Sequence, residues 1–384
     1  MIRPPKPKKT PHEIPKQIPL PGERIPIISL ILLFLCVGCM ILVLIARRSV
    51  AFADFFNRHI SGFFRAVFAH VTNSIPFSVA ELLILLIPLW IVILIVYAVR
   101  RKTASWRAVF SYIVTLLSVV SIIYTLFVLN YGLGYYIPTL DKRLDLDKKP
   151  VSAEELYETA LILADEINEL VPQIRYGADD FSIMPYSLSE MGDKLMEAYD
   201  SFTQTNTYIQ DLDSNIKPVL LSVAMSYTHF TGFYTFFTGE ANLNVDFPDY
   251  SLPYTAAHEF AHQRGIAREN EANFIAFLVC LESDDPYIRY CGYLNLYEYV
   301  ASALYSADKT EGKSLYYGVR DRLSGFVLGE MSAYSSFYQK YSNSKAGAIG
   351  SSINNAFLQA NGTVEGSRSY GLVVDLAVAY YKDR

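Results

Sequence analysis

The segment LPYTAAHEFAHQRGIARENEANFIAF places His258, Glu259 and His262 in the pattern HExxH. On a helix, residues four apart share a face, so both imidazoles can bind one Zn2+ while Glu259 reaches a water on that metal. Zinc lowers the pKa of such a water towards about 7, and Glu259 is then the general base for attack on a carbonyl. The chemistry this implies is peptide-bond hydrolysis. Pro253 can start the helix and Gly265 can stop it. A catalytic zinc site also takes a third protein ligand and keeps one position open. Glu269, in the run ENEAN, follows His262 by seven residues. Its helical neighbours Ala272, Asn273 and Ala276 are small or polar and let a second helix approach the first, whereas Glu271 shares its face with Phe274, Ile275 and Leu278. Glu269 is therefore the preferred third metal ligand, Glu271 the alternative, and Asn273 a partner that orients one imidazole. Glu240 in FTGEANLN and His229 in SYTHF are further candidates from adjacent elements, each more simply read as structural.

A scaffold must position these groups, and the chain divides by composition. Of 384 residues, 52% are hydrophobic and 18% charged, with the apolar excess before residue 135. That balance exceeds the apolar content of an ordinary soluble protein and points to lipid. Residues 27–46, IISLILLFLCVGCMILVLIA, carry no charge. As a helix they extend about 30 Å, enough to cross the hydrocarbon core. The stretch ends in Arg47 and Arg48 and starts too far along the chain for a cleaved signal peptide. Residues 82–99 form a second expected span, with Pro88 tolerated where neighbours satisfy the freed carbonyl, and residues 109–131 a third.

Arg3, Lys6, Lys8, Lys9, Lys16 and Arg24 precede the first span, and Arg100, Arg101, Lys102 and Arg107 follow the second. Both segments therefore read as cytoplasmic, and everything after the third span faces outward. The first loop carries Arg47, Arg48, Arg58 and Arg65, and its stretch AFADFFNRHISGFFRAVFAHV is amphipathic enough to lie on the bilayer surface. The expected organisation is a disordered basic, Pro-rich tail over residues 1–26, a membrane domain over 27–134 and an extracytoplasmic domain over 135–384. The partners this implies are the lipid bilayer and a peptide or protein substrate. A net charge of −5 with the basic residues crowded near the N-terminus excludes a nucleic-acid surface.

In the soluble part, Ser152 with Glu155 and Ser187 with Glu190 have capping-box spacing and predict helices. Later stretches such as YLNLYEYVASALYSA also favour helix, while FTGEANLNVDF, residues 237–247, predicts a short edge strand or hairpin. The fold class expected is mainly α: three N-terminal transmembrane helices, then a mostly helical domain with a short strand or hairpin before the HExxH helix. The 29 tyrosines read first as core packing. Cys36 and Cys39 fall in an apolar run, and Cys280 and Cys291 either pair in an oxidising space or stay as buried thiols.

At HEFAH and ENEAN the chain resembles the zincin superfamily, in which HExxH is followed by a second helix bearing ExxxD or ExxAD. Asn273 stands here in place of the Asp. That likeness is gluzincin-like and implies a zincin-like domain with Glu269 as ligand. From the apolar segments through FTGEANLN, HEFAHQRG, ENEANF and the Tyr-rich C-terminal half, the chain also resembles domain of unknown function family 3810 (DUF3810). That family comprises bacterial membrane proteins, mainly of Gram-positive bacteria, and the resemblance implies a zinc-peptidase-like site without naming a substrate. The alternative class is a non-catalytic membrane receptor or scaffold with a structural zinc, against which the intact Glu259 argues. Intramembrane proteolysis is disfavoured because HQRGIARENE is too polar to lie in lipid.

Overall fold

Apolar runs without interior breakers dominate the first third of the chain, and they form helices. A computed structural model describes residues 24–100, 105–342, 344–361, 363 and 372–382. Most of the expected tail, and Arg101 and Lys102 of the basic loop, lie outside the described residues. The protein is mainly helical, with a small sheet and two helices, Ile27–Ala46 and Trp106–Asn130, long and apolar enough to cross a membrane. The stretch expected as a second span is two helices, Val79–Leu85 and Ile87–Val99, bent by 47° at their junction. The break falls beside Pro88, which sits in the first turn of the second helix where its missing N–H leaves no bond unmade.

Contacts sort the described residues into two compact units, those of Met1–Cys36 with Ile87–Ile122, and those of Val37–Leu86 with Ile123–Arg384. Within the first, Ser118 Oγ donates to Ser29 Oγ at 3.1 Å and Tyr112 Oη to the Leu94 carbonyl at 3.2 Å, polar links between otherwise apolar helices.

The second unit departs from the expected boundary at residue 135, because the loop after the first long helix packs into it. Within that loop, Phe56–Ser61 is a π-helical turn leading into the helix Gly62–Asn73. Arg65 is only 1% exposed, so its side chain turns into protein, while Phe55, Phe63 and Val71 of the same stretch are exposed. Its guanidinium donates to the Asn57 carbonyl at 2.7 Å, Asn57 Oδ1 at 3.0 Å, the Asn130 carbonyl at 3.1 Å and Gln210 Oε1 at 3.1 Å. No carboxylate pairs with it among the described residues. Burial lowers its pKa to about 10, still high enough to keep it charged. Amphipathic periodicity alone cannot distinguish a face turned to lipid from one turned to protein.

Both capping boxes form, opening Ala153–Leu170 and Leu188–Thr205. These helices pack with Ser251–Gln263, Glu269–Glu282 and Pro286–Glu311 around one large core that includes Leu163, Leu195, Phe260, Phe277 and Leu294. The sheet has the order β1-β3-β2, with β1 Ile216–Pro218 parallel to β3 Glu240–Leu243 and β2 Gly232–Thr235 antiparallel to it. Within the stretch 237–247 expected as an edge strand or hairpin, Glu240–Leu243 forms β3, which is central and pairs with β2 upstream of that stretch.

All four β3 residues are buried. The alternation of EANL sends Ala241 and Leu243 into the core, while protein covers its polar face too. Glu240 accepts the backbone N–H groups of Val79 and Ala80 at 3.0 and 2.8 Å, and Asn242 Oδ1 accepts from Ser78 Oγ at 2.6 Å. Glu81 returns the arrangement, accepting from the N–H groups of Leu220 and Leu221. Glu240 thus serves the N-terminus of Val79–Leu85, where a carboxylate is favoured.

Replacing Arg65 by Met is expected to destabilise the protein by about 3 kcal/mol, because the buried carbonyls and amides it serves lose their donor. Thermal unfolding of the full chain in detergent measures this. A fragment beginning at residue 135 loses Asn57, Arg65 and Tyr131 together, and should unfold well below the full chain.

Candidate metal centre

The helix Ser251–Gln263 carries the motif and is buried along its whole length, packed against Glu269–Glu282, β2 and β3. Pro253 lies in its first turn, and it ends where Gly265 adopts φ +97°. The Gly265 N–H donates to the His262 carbonyl at 3.0 Å and the Ile266 N–H to the Ala261 carbonyl at 3.1 Å, a Schellman closure. A Cβ on Gly265 would lie 2.8 Å from Arg65 Nη2, so both the left-handed backbone and the packing require glycine. Asn57 Nδ2 donates to the Gly265 carbonyl at 3.2 Å.

This turn points the Ile266 carbonyl back at His262, whose Nδ1 lies 2.7 Å from it and 3.0 Å from Tyr131 Oη. Nδ1 is therefore the protonated ring nitrogen when the imidazole is neutral, and Nε2 is turned to the site. His258 Nε2 and His262 Nε2 each lie 3.2 Å from the same atom, Glu269 Oε2. Glu269 opens the second helix, whose Ala272 and Ala276 are fully buried, as close approach requires. Asn273, on the same second helix, lines the pocket with His258, and its Nδ2 donates to Tyr299 Oη at 3.4 Å.

His258, His262 and Glu269 thus bring together two imidazole nitrogens and a carboxylate oxygen, all within 4.8 Å of one another. That donor set suits a zinc ion, with the His262 imidazole held from behind by hydrogen bonds. Glu271 is turned elsewhere: Oε1 accepts from the Leu140 N–H at 3.0 Å and from Arg268 Nη1 at 2.9 Å. Arg268 in turn donates to the carbonyls of Tyr135 and Ile137. His229 adopts φ +65° and its Nε2 lies 2.8 Å from the Tyr341 carbonyl. Cys280 and Cys291 are free and buried, so the pairing left open by the sequence does not form.

Burial would raise the Glu269 carboxyl, but His262 and His258 outweigh it and hold it well below the usual range. Burial and the neighbouring His262 lower His258; burial also opposes the charge on His262, yet Glu269 prevails and lifts it to about 9. Burial pushes Glu259 up to about 8, although the neighbouring His262 opposes the shift. Its Oε2 is buried with no hydrogen-bond partner among the described residues. A Cβ on Gly232 of β2 would lie 2.8 Å from Glu259 Cγ and Oε1, so this strand runs against the side chain. His258 and Glu259 line a pocket of about 820 Å3 together with Phe230, Thr231 and Gly232.

Sequence reasoning missed Asn57, Arg65, Tyr131 and Gly232. Only Arg65 left a signal there, as a charge inside an apolar stretch; the others are ordinary residues given meaning by what packs on them.

Fold and site together define a mainly helical chain, with two helices apolar and long enough to cross a membrane and a buried His-His-Glu cluster on adjoining helices. The chain belongs to the family described as Protein of unknown function (DUF3810), which it matches over residues 54–378. No curated protein and no solved structure matches it.

Glu271→Ala should leave Arg268 and the Leu140 N–H without their buried acceptor and lower stability by about 2–3 kcal/mol. An unchanged melting temperature would show that this carboxylate does not hold the two segments together.

Proposed function

We propose that the protein is a membrane-anchored zinc metallopeptidase, with His258, His262 and Glu269 as metal ligands and Glu259 as general base. The observation that carries this reading is the convergence of both Nε2 atoms on one Glu269 oxygen while Glu259, one residue along the same helix, turns an unpartnered carboxyl oxygen to its own surroundings. When bound, zinc supplies a Lewis acid that polarises a carbonyl and makes water more acidic. The chain's residues do the rest. Ile266 and Tyr131 hold His262 in one tautomer, Asn273 in the same pocket steadies His258, and Glu259, as the carboxylate, would accept a proton from the attacking water and pass it to the leaving amine. A structural zinc site has no use for such a base.

Peptide is favoured as substrate because β2 is an edge strand whose approach, Phe230–Gly232, lines the pocket. An extended chain can add to such an edge through its backbone. The bent pair Val79–Leu85 and Ile87–Val99 counts here as a third, broken span. With the basic N-terminal segment inside, three crossings put the zincin-like domain on the extracytoplasmic side.

Metal analysis of the purified full chain is expected to find one zinc per molecule, lost in His258→Ala, His262→Ala and Glu269→Ala but kept in Glu271→Ala. Glu259→Gln should keep the zinc and slow cleavage of a mixed peptide pool by about 100- to 10,000-fold. A folded chain without bound metal rules the peptidase out, and unimpaired biological activity in Glu259→Gln moves the reading to a receptor or scaffold. For orientation, the four native cysteines are all buried, so a single Asp165→Cys should react with a membrane-impermeant maleimide in intact cells. Reaction only after permeabilisation reverses the topology.

A further inference from the structure

The helix Pro286–Glu311 is mostly core, with Leu294, Leu296, Tyr297, Val300 and Ala301 buried, yet it presents a polar stripe to the pocket. Asn295, Glu298, Tyr299 and Ser302, at i, i+3, i+4 and i+7, all line the same cavity as His258 and Glu259. Glu298 Oε1 accepts from Tyr250 Oη at 3.1 Å, and no other hydrogen bond or ion pair reaches this carboxylate among the described residues. Among the described residues the pocket lining contains no Lys or Arg, and the rings of Tyr299, Tyr334 and Tyr338 stand in it with Glu298. Elsewhere in this domain deeply set carboxylates are matched, Glu271 by Arg268 and the Leu140 N–H, Glu240 by the N–H groups of Val79 and Ala80.

We infer that Glu298 anchors a cationic group of the substrate, an alkylammonium or guanidinium, seated among the tyrosine rings of the pocket. This rests on the peptidase reading and deepens it by naming what the site selects. A carboxylate in a tyrosine-walled cavity offers a cation both an ion pair and ring faces, two terms strengthened by the low local dielectric. A neutral apolar group placed there would strand Glu298 with one hydrogen bond, and an acidic group would meet it as a like charge. Burial pushes Glu298 up to about 7, a penalty on its charge that a neighbouring cation relieves. The cation can come from a Lys or Arg side chain or from the α-amine of a chain terminus; both present the same chemistry to Glu298.

Three zinc-binding probes separate these sources on the full-length, zinc-loaded chain in detergent: Nα-acetyl-leucine hydroxamate, leucine hydroxamate and Nα-acetyl-lysine hydroxamate. The expectation is that at least one of the two cationic probes binds about tenfold or more tightly than the uncharged one, leucine hydroxamate if the α-amine is selected and the lysine derivative if the side chain is. Glu298→Gln, which still accepts the Tyr250 hydrogen bond, should erase that preference while leaving zinc content and the affinity for Nα-acetyl-leucine hydroxamate unchanged. Equal affinity of all three probes for the native chain, or a preference that survives in Glu298→Gln, overturns the assignment. If the chain holds no zinc, the peptidase reading falls, and the anchor is judged by n-hexylamine against n-hexanol, which need no metal. A Glu298-dependent preference for the amine sustains it, and equal binding removes it.

Discussion

The hydrogen-bonded turn at Gly265 is the constraint on which the site depends. It ends the motif helix, reverses the chain with a left-handed residue, and delivers the Ile266 carbonyl to His262 Nδ1. The same turn is held from outside by Asn57 and packed against the Arg65 guanidinium, which is itself anchored on carbonyls at Asn57 and Asn130. One of the two candidate ligand imidazoles is therefore oriented by residues that flank the long apolar helices. A buried arginine without a carboxylate partner is tolerable because four acceptors take up its N–H groups, and its fixed fork makes it a stiff support.

Environment gives chemically identical carboxylates different work. Glu240 and Glu81 serve helix N-termini, where backbone N–H groups satisfy them. Glu271 is held by Arg268, and Glu269 by two imidazoles. Glu259 and Glu298 line the pocket, and burial lifts both, to about 8 and about 7. Buried carboxyls that lack compensating charge are the groups from which catalysis and recognition are drawn, because their unsatisfied capacity is available to a ligand.

The small sheet shows how far the loop after the first long helix is built into the domain. β3 looks amphipathic in sequence, and its polar residues would meet water on an exposed sheet. Here Ser78, Val79 and Ala80 cover them, so one strand joins the core on one face and a helix start on the other. The loop therefore belongs with the residues after 123 in one compact unit, where the sequence suggests a boundary at residue 135. Hydropathy reports which segments are apolar, while the packing partner of an amphipathic segment is a property of the whole chain.

By itself the sequence determined the elements whose causes are local. The two capping boxes, the long apolar helices, the motif helix with Gly265 at its end, and the strand β3 before it all follow from spacing and residue type. His258, His262 and Glu269 were legible as a group because they lie on two short adjoining helices joined by one turn. The preference for Glu269 over Glu271 also followed from helical periodicity, since the two carboxyls leave the helix in different directions. Tertiary structure alone decided that Asn57, Arg65 and Tyr131 support the motif from as far as 208 residues away in sequence, that β3 is central, and that Glu298 shares a pocket with Glu259. These relations join segments with no common period or motif, and only the packing of the folded chain brings them within hydrogen-bonding reach or around one cavity.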